Sequence, residues 1–376
     1  MKKLILSIII IYVSCHTFAA NKGAYAQYWS YDEYIKLHPE QAKIAQIFSS
    51  QVHANITNQP IKSGVNIAFV YPGKQASDYW RRSVSSFEAR LIESGIDYQL
   101  NNYFSKPGTE INQQAKHIVS ALEYQPDYLI FTLDAMKHQI IIERLIAKKK
   151  PKIILQNITT PLKVWGDIQP FLYVGFDHAF GTKILIKEYQ KKFPEGAKYA
   201  IFYGPKGYVS EMRGGTFLRA FFNDKSFTLA SEYFTGFDRS RAKQAALQVF
   251  KEHPDIDFIY SCSTDIALGV IDAIKQTDKV NVMTNGWGGG SAELEAIEKG
   301  DLEMTVMRMN DDNGIAMADA ILNDLNNNPS PKIYSGDIIL VDRSMKKTDI
   351  DRLKRNAFRY SDHWETPLNN PNKNNK

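Results

Sequence analysis

The sequence predicts an α/β fold of two doubly wound parallel-sheet lobes, and three observations predict it. Short apolar runs alternate with helix-length amphipathic stretches along most of the chain. The runs are continuously apolar, as expected of strands covered on both faces, which means a parallel sheet built from βαβ units. Finally, the 376 residues, less a leader of about 20, exceed one comfortable open sheet and give room for two domains of ordinary size.

The leader comes first. Residues 1–20, "MKKLILSIIIIYVSCHTFAA", carry two lysines, an apolar run from Leu4 to Val13 and then small residues. That is the pattern of a secretory signal, cut near Ala19 or Ala20. The run is shorter than the about 20 apolar residues a spanning helix needs. A lipoprotein signal ending at Cys15 is the competing reading, which the bulky Tyr12 disfavours. Residues 21–60 then read as a helical extension, "YWSYDEYIKLHPEQAKIAQIFSSQVHA".

The expected strands follow in order: "VNIAFVY", "DYLIFTL", "KIILQN", "FLYVGFD", "KYAIFYG", "DFIYSCST", "VNVMTNGW" and "LEMTVMRM". Between them, 78–94, 136–149, 178–193, 241–253 and 265–277 read as helices. These assign 61–174 plus 309–336 to a first lobe and 175–308 plus 337–362 to a second. Chain crossings are expected near 174–177, 307–311 and 335–340. The tail 363–376 contains "NNPNKNNK" and is expected to be disordered.

Bulk properties exclude several classes. The formal charge is +5, and +3 once Lys2 and Lys3 leave, so no basic surface or helix-turn-helix argues for nucleic acid. No later stretch is apolar enough to insert in a membrane. Of two cysteines, one leaves with the leader, and Cys262 reads as a buried, inert thiol. No metal-ligand spacing or nucleophile turn is present, no cofactor is expected, and His138, His178 and His253 read as surface or capping residues. No acid–base or nucleophile set supports an enzyme.

In doubly wound sheets, ligands bind beyond the carboxyl ends of the strands. There the sequence places Gln75, Ser77 and Trp80, then Thr132, Asp134, Gln156, Asn157, Arg213, Ser263, Thr264, Asp265, Asn285, Trp287, Ser291, Arg308, Asn310 and Asp311. Amides and carboxylates pair with hydroxyls, Trp covers an apolar ring face, and Arg adds charge-assisted bonds. This composition suits a small, hydroxyl-rich ligand. For each residue a plainer role stays open. Asp265 could simply cap its helix, either Trp could be core, and Arg213 could pair with Glu211 at the surface. Arg308 lies in a run that should be buried, so Asp311, Asp312, another acid or a ligand anion must neutralise it. "GWGGGS" at 286–291 is a weak near-match to a dinucleotide fingerprint; its glycines more simply let the backbone approach a ligand.

The stretches "YPGKQASDYW", "PDYLIFTLD", "IILQNITTP", "FLYVGFDHA", "DFIYSCSTDIALG", "NGWGGGSAELEAI" and "TVMRMNDDNGIAMA" carry a resemblance. The chain resembles the class I periplasmic binding proteins of the ribose-binding type, and in these motifs the autoinducer 2 receptors among them. The resemblance runs from about "YWSYDEY" to "AFRYSD", nearly all of the chain after the leader. It implies a three-crossing hinge between the lobes and a periplasmic location. The implied ligand, autoinducer 2, is a cyclic furanosyl borate diester with one negative charge. By the resemblance, Gln75, Ser77, Trp80, Asn157, Arg213, Ser263, Thr264, Asp265, Trp287 and Arg308 would bind it, with the two arginines flanking the anionic boron centre. The implied partner is the periplasmic domain of a LuxQ-type membrane hybrid sensor kinase, and the process is quorum sensing. The alternative is the sugar-binding component of a transport system.

Overall fold

The computed structural model describes residues 26–56, 61–133, 136–277, 279 and 281–362. The expected leader and tail lie outside them. The extension forms α1 (Tyr31–Leu37) and α2 (Glu40–His53). Ser30 and Glu33 close a reciprocal cap at the start of α1, which satisfies two otherwise orphaned N–H groups.

Two six-stranded sheets follow. The first is built from β1 (Ile61–Tyr71), β2 (Ile96–Phe104), β3 (Tyr128–Phe131), β4 (Lys152–Gln156) and β5 (Leu172–Gly175), joined late in the chain by β11 (Ile333–Ser335). The second holds β6 (Ala197–Tyr203), β7 (Phe227–Phe234), β8 (Phe258–Ser261), β9 (Met283–Gly288), β10 (Met304–Arg308) and β12 (Ile338–Asp342). Their orders are β11-β5-β4-β3-β1-β2 and β12-β10-β9-β8-β6-β7. All pairings are parallel except β12 with β10, an antiparallel edge. The inner strands β3, β5 and β8 are buried along their whole length because helices cover both faces.

The sequence reading contains neither β2 nor β7. Both are edge strands whose residues alternate between buried and exposed, so neither shows a continuous apolar run. The helices that follow α2 are α3 (Tyr79–Glu93), α4 (Ile111–Glu123), α5 (Met136–Lys148), α6 (His178–Lys192), α7 (Tyr208–Ser210), α8 (Thr216–Phe221), α9 (Arg239–Glu252), α10 (Thr264–Thr277), α11 (Ser291–Glu298), α12 (Asp311–Leu325) and α13 (Lys347–Ala357).

The chain passes between the sheets from β5 to α6, from β10 to α12 and from β11 to β12. A further link comes from the C-terminal segment. The sequence assigns 337–362 to the second lobe, and α13 does pack there through Ile350, Ala357 and Phe358. Residues 359–361 differ, because they bond to the first lobe. The backbone N–H groups of Tyr360 and Ser361 donate to Asp311 at 2.7 and 2.8 Å, and Arg359 pairs with Asp312 at 2.6 Å. These two acids are saturated in this way, so neither reaches Arg308.

Candidate functional site

A cavity lies between the lobes, lined from one side by Gln75, Ser77, Trp80 and Asn157 and from the other by Arg213, Ser263, Thr264, Trp287 and Arg308. Nine of the ten expected residues therefore meet around one space.

The first lobe supplies its share from two strand ends. After β1, the Pro72-Gly73 turn leads into α3, with Gln75 held by its Nε2–H donating to the Pro72 carbonyl at 2.7 Å. Trp80 stacks on Tyr71 with ring centroids 5.7 Å apart. After β4, Asn157 adopts φ 67°, a left-handed conformation that Asn tolerates better than most residues. Its buried Oδ1 has no hydrogen-bond partner.

From the second lobe, Arg213 enters on a π-turn, Glu211–Gly215. Such insertions often re-aim side chains at functional sites. A Cβ on Gly214 would lie 2.2 Å from the Tyr203 ring, so only glycine lets this turn sit against β6. Glu211 pairs with Arg219, which frees Arg213 from the surface role left open by the sequence. The guanidinium stacks on Trp287 at 3.6 Å from the ring centre. Its Nη1 donates to the Cys262 carbonyl at 2.7 Å, and Nε and Nη2 lie 3.3 Å from His178 Nδ1. Arg308, at the end of β10, lies 3.9 Å over the Tyr79 ring, and its buried Nε has no hydrogen-bond partner.

Among the described residues, neither arginine has a carboxylate in ion-pair range. Glu293 acts on both through space, but its oxygens already accept from the backbone N–H groups of Trp287 and Gly289 and from Thr305 Oγ1. Burial, with Arg308 adding to it, pushes Arg213 down to about 9. Burial also lowers Arg308. Both stay cationic at neutral pH, so the cavity wall holds two guanidinium groups that Glu293 and, for Arg308, Asp78 influence only from a distance, with no carboxylate in ion-pair contact among the described residues.

Three sequence expectations change and one open choice closes. Asp265 does not line the cavity. Its two oxygens accept the backbone N–H groups of Ala76 and Ser77 at 2.8 and 3.3 Å, so it bolts the lobes together. The glycines at 286–290 make room for protein side chains, not for a ligand. A Cβ at Gly286, Gly288, Gly289 or Gly290 would collide with Glu293, Arg308, Met307 or Asp78 respectively. For Trp287 the core role left open by the sequence is the one the fold shows, because it is 1% exposed between Arg213, His178 and Gly181. His178 is no surface residue. It is fully buried at the first crossing and touches both Asn157 and Arg213. Nothing in its local sequence signals this, since Arg213 reaches it only through the tertiary fold.

Residues 67–329 match the family model described as a periplasmic binding protein domain. The chain belongs to that family. Among curated proteins it is similar to the ribose import binding protein RbsB of Salmonella typhimurium, 29% identical over 178 residues, which are 46% of this chain and 58% of that protein. It is also similar to the D-allose-binding periplasmic protein of Escherichia coli, 27% identical over 157 residues, covering 41% of this chain and 49% of that one. The chain thus spans about half the length of these curated relatives, and both are named as binding proteins. In fold it resembles a D-fucose-bound solute binding protein of Agrobacterium vitis, with TM-score 0.69 and 16% identity over 76% of this chain and 98% of that one. A D-allose-bound protein of Actinobacillus succinogenes gives TM-score 0.65 at 20% identity, over 76% and 98% of the two chains. At these identities the likeness establishes the fold, two lobes around a cleft.

Proposed function

We propose that this chain is a periplasmic receptor, not an enzyme, that closes on autoinducer 2 as its furanosyl borate diester. It then signals to the periplasmic domain of a LuxQ-type hybrid sensor kinase. The observation that carries this reading is the pair Arg213 and Arg308, buried in the cavity wall with no carboxylate partner. A buried guanidinium is costly unless it is paired. One ligand anion between the two would supply the missing partner, and hydroxyls would satisfy Asn157 and Ser77. The sequence resemblance supplies the identity of the anion and of the kinase. A ligand that touches both lobes favours the closed state, because only there are all its contacts made.

The second reading is the sugar-binding component of a transport system. The comparisons alone favour it, since the matching curated relatives are import or binding proteins for ribose and allose. The two readings differ in charge. Calorimetric titration with the furanose in the presence of borate, in its absence, and with ribose separates them. The receptor reading expects binding to require borate and ribose to bind at least about 100-fold more weakly, near 2.7 kcal/mol. Borate-independent binding, or ribose as the tighter ligand, would overturn it in favour of transport.

A further inference from the structure

We infer that His178 is a specificity-determining positioning residue, a neutral hydrogen-bonding spacer that orients Arg213 and leaves its charge for the ligand. This deepens the anion reading above and rests on it.

The ring's two nitrogens play opposite hydrogen-bonding roles. Nε2 lies 3.0 Å from the Asn157 carbonyl oxygen, which can only accept, so Nε2 carries the hydrogen. Nδ1 is then a bare acceptor, and it faces Arg213 Nε and Nη2 at 3.3 Å. The surroundings enforce this tautomer. His178 is fully buried against Trp287 and Tyr208, with Arg213 beside it and Arg308 acting from further off. Burial and the arginines hold its protonated form well below the usual range. Proton addition at Nδ1 would remove the acceptor and place a third cation in the same wall.

The consequence concerns the guanidinium's five N–H groups. His178 occupies those of Nε and one on Nη2, and the Cys262 carbonyl occupies one on Nη1. One N–H on each terminal nitrogen remains, a fork suited to a bidentate anion. A carboxylate at position 178 would hold the same fork equally well but cancel its charge. A neutral imidazole holds it without cancelling anything. Because His178 also bonds Asn157 of the first lobe, it ties the fork's orientation to the site's other face.

The test is a matched pair, His178→Gln and His178→Glu, which differ in charge at nearly equal size. Each is titrated with the furanose plus borate and with the same furanose in borate-depleted buffer. The readout is the ratio of the two affinities. The Gln variant, whose amide supplies both a donor and an acceptor, is expected to keep the parent's preference for the borate diester even if both affinities fall. The Glu variant is expected to lose at least about tenfold of that preference. Equal ratios in the two variants would overturn the inference, as a purely structural role predicts. If the Glu variant does not fold, ¹⁵N spectra of the wild-type imidazole decide at neutral pH, without ligand. The neutral Nε2–H tautomer supports the spacer, and an imidazolium or an Nδ1–H tautomer overturns it. A wild-type protein with no borate preference would instead sink the anion reading itself, and the spectra would still judge the tautomer.

Discussion

Asp265 Oδ1 accepts the backbone N–H of Ala76 at 2.8 Å, across 189 residues of sequence and from one lobe to the other. The companion oxygen takes the N–H of Ser77. A carboxylate that bonds the turn carrying Gln75 and Ser77 shapes the site without touching the cavity. Hydrogen bonds to charged groups contribute about 1.5–3 kcal/mol. Asp265→Ala should therefore weaken ligand binding by about 10- to 150-fold through loss of the closed state. Small-angle scattering should show a larger radius of gyration for the variant than for the parent at the same ligand concentration. Equal radii and equal affinities would remove Asp265 from the closure mechanism.

The C-terminal segment makes a pH-dependent link. Asp311 accepts from the N–H groups of Tyr360 and Ser361 and from Ser361 Oγ at 2.6 Å, yet burial raises its pKa to about 6. Between its ordinary value of 3.8 and about 6 the folded state binds more protons than the unfolded state. This residue's contribution to stability therefore falls as pH rises through that window. Thermal melts of Asp311→Asn should show a stability difference from wild type that changes steadily between about pH 4 and 6 and is flat above about 7. A difference independent of pH would show that Asp311 does not titrate there.

Gly288 sits at φ 141°, and a Cβ there would lie 2.7 Å from Arg308 Nη2. Gly288→Ala should displace the guanidinium and strain the backbone, costing on the order of 1–3 kcal/mol of stability. Binding should fall by more than tenfold, with the circular dichroism of the folded protein retained. Unchanged affinity would mean that Arg308 does not need its present position.

The arginines themselves give the sharpest substitutions. Arg213→Met and Arg308→Met should each weaken the borate diester by about 10- to 150-fold. Binding of the boron-free furanose should change far less. Affinity within about twofold of the parent for either variant would make that arginine structural.

Much of this architecture is legible in the sequence because inner parallel strands must be apolar throughout. "YLIF" and "FIYS" advertise β3 and β8, whereas "IDYQLNNYF" hides β2, because an edge strand exposes alternate side chains. Strand-end position brought out a wider set that includes the residues around the cavity along with others, such as Thr132, Asn285 and Asp311, that do not line it. Such reasoning ranks residues by place and type, so it cannot separate Asp265, turned onto backbone N–H groups, from Thr264, turned to the cavity. His178 escaped it for the opposite reason. Its local sequence reads as an ordinary helix start, and its significance comes from Arg213, 35 residues away in sequence. The glycines at 286–290 were legible as a place of close approach, but what approaches is Arg308, Glu293 and Asp78, which only the folded chain brings there.

The central claim is that the cavity holds a boron-containing anion. The most direct measurement is mass spectrometry of the ligand released from purified protein, combined with boron analysis of the intact complex. The account predicts one boron per protein chain and release of a small furanose on unfolding. A released neutral pentose or hexose, with no boron above the buffer level, would contradict it.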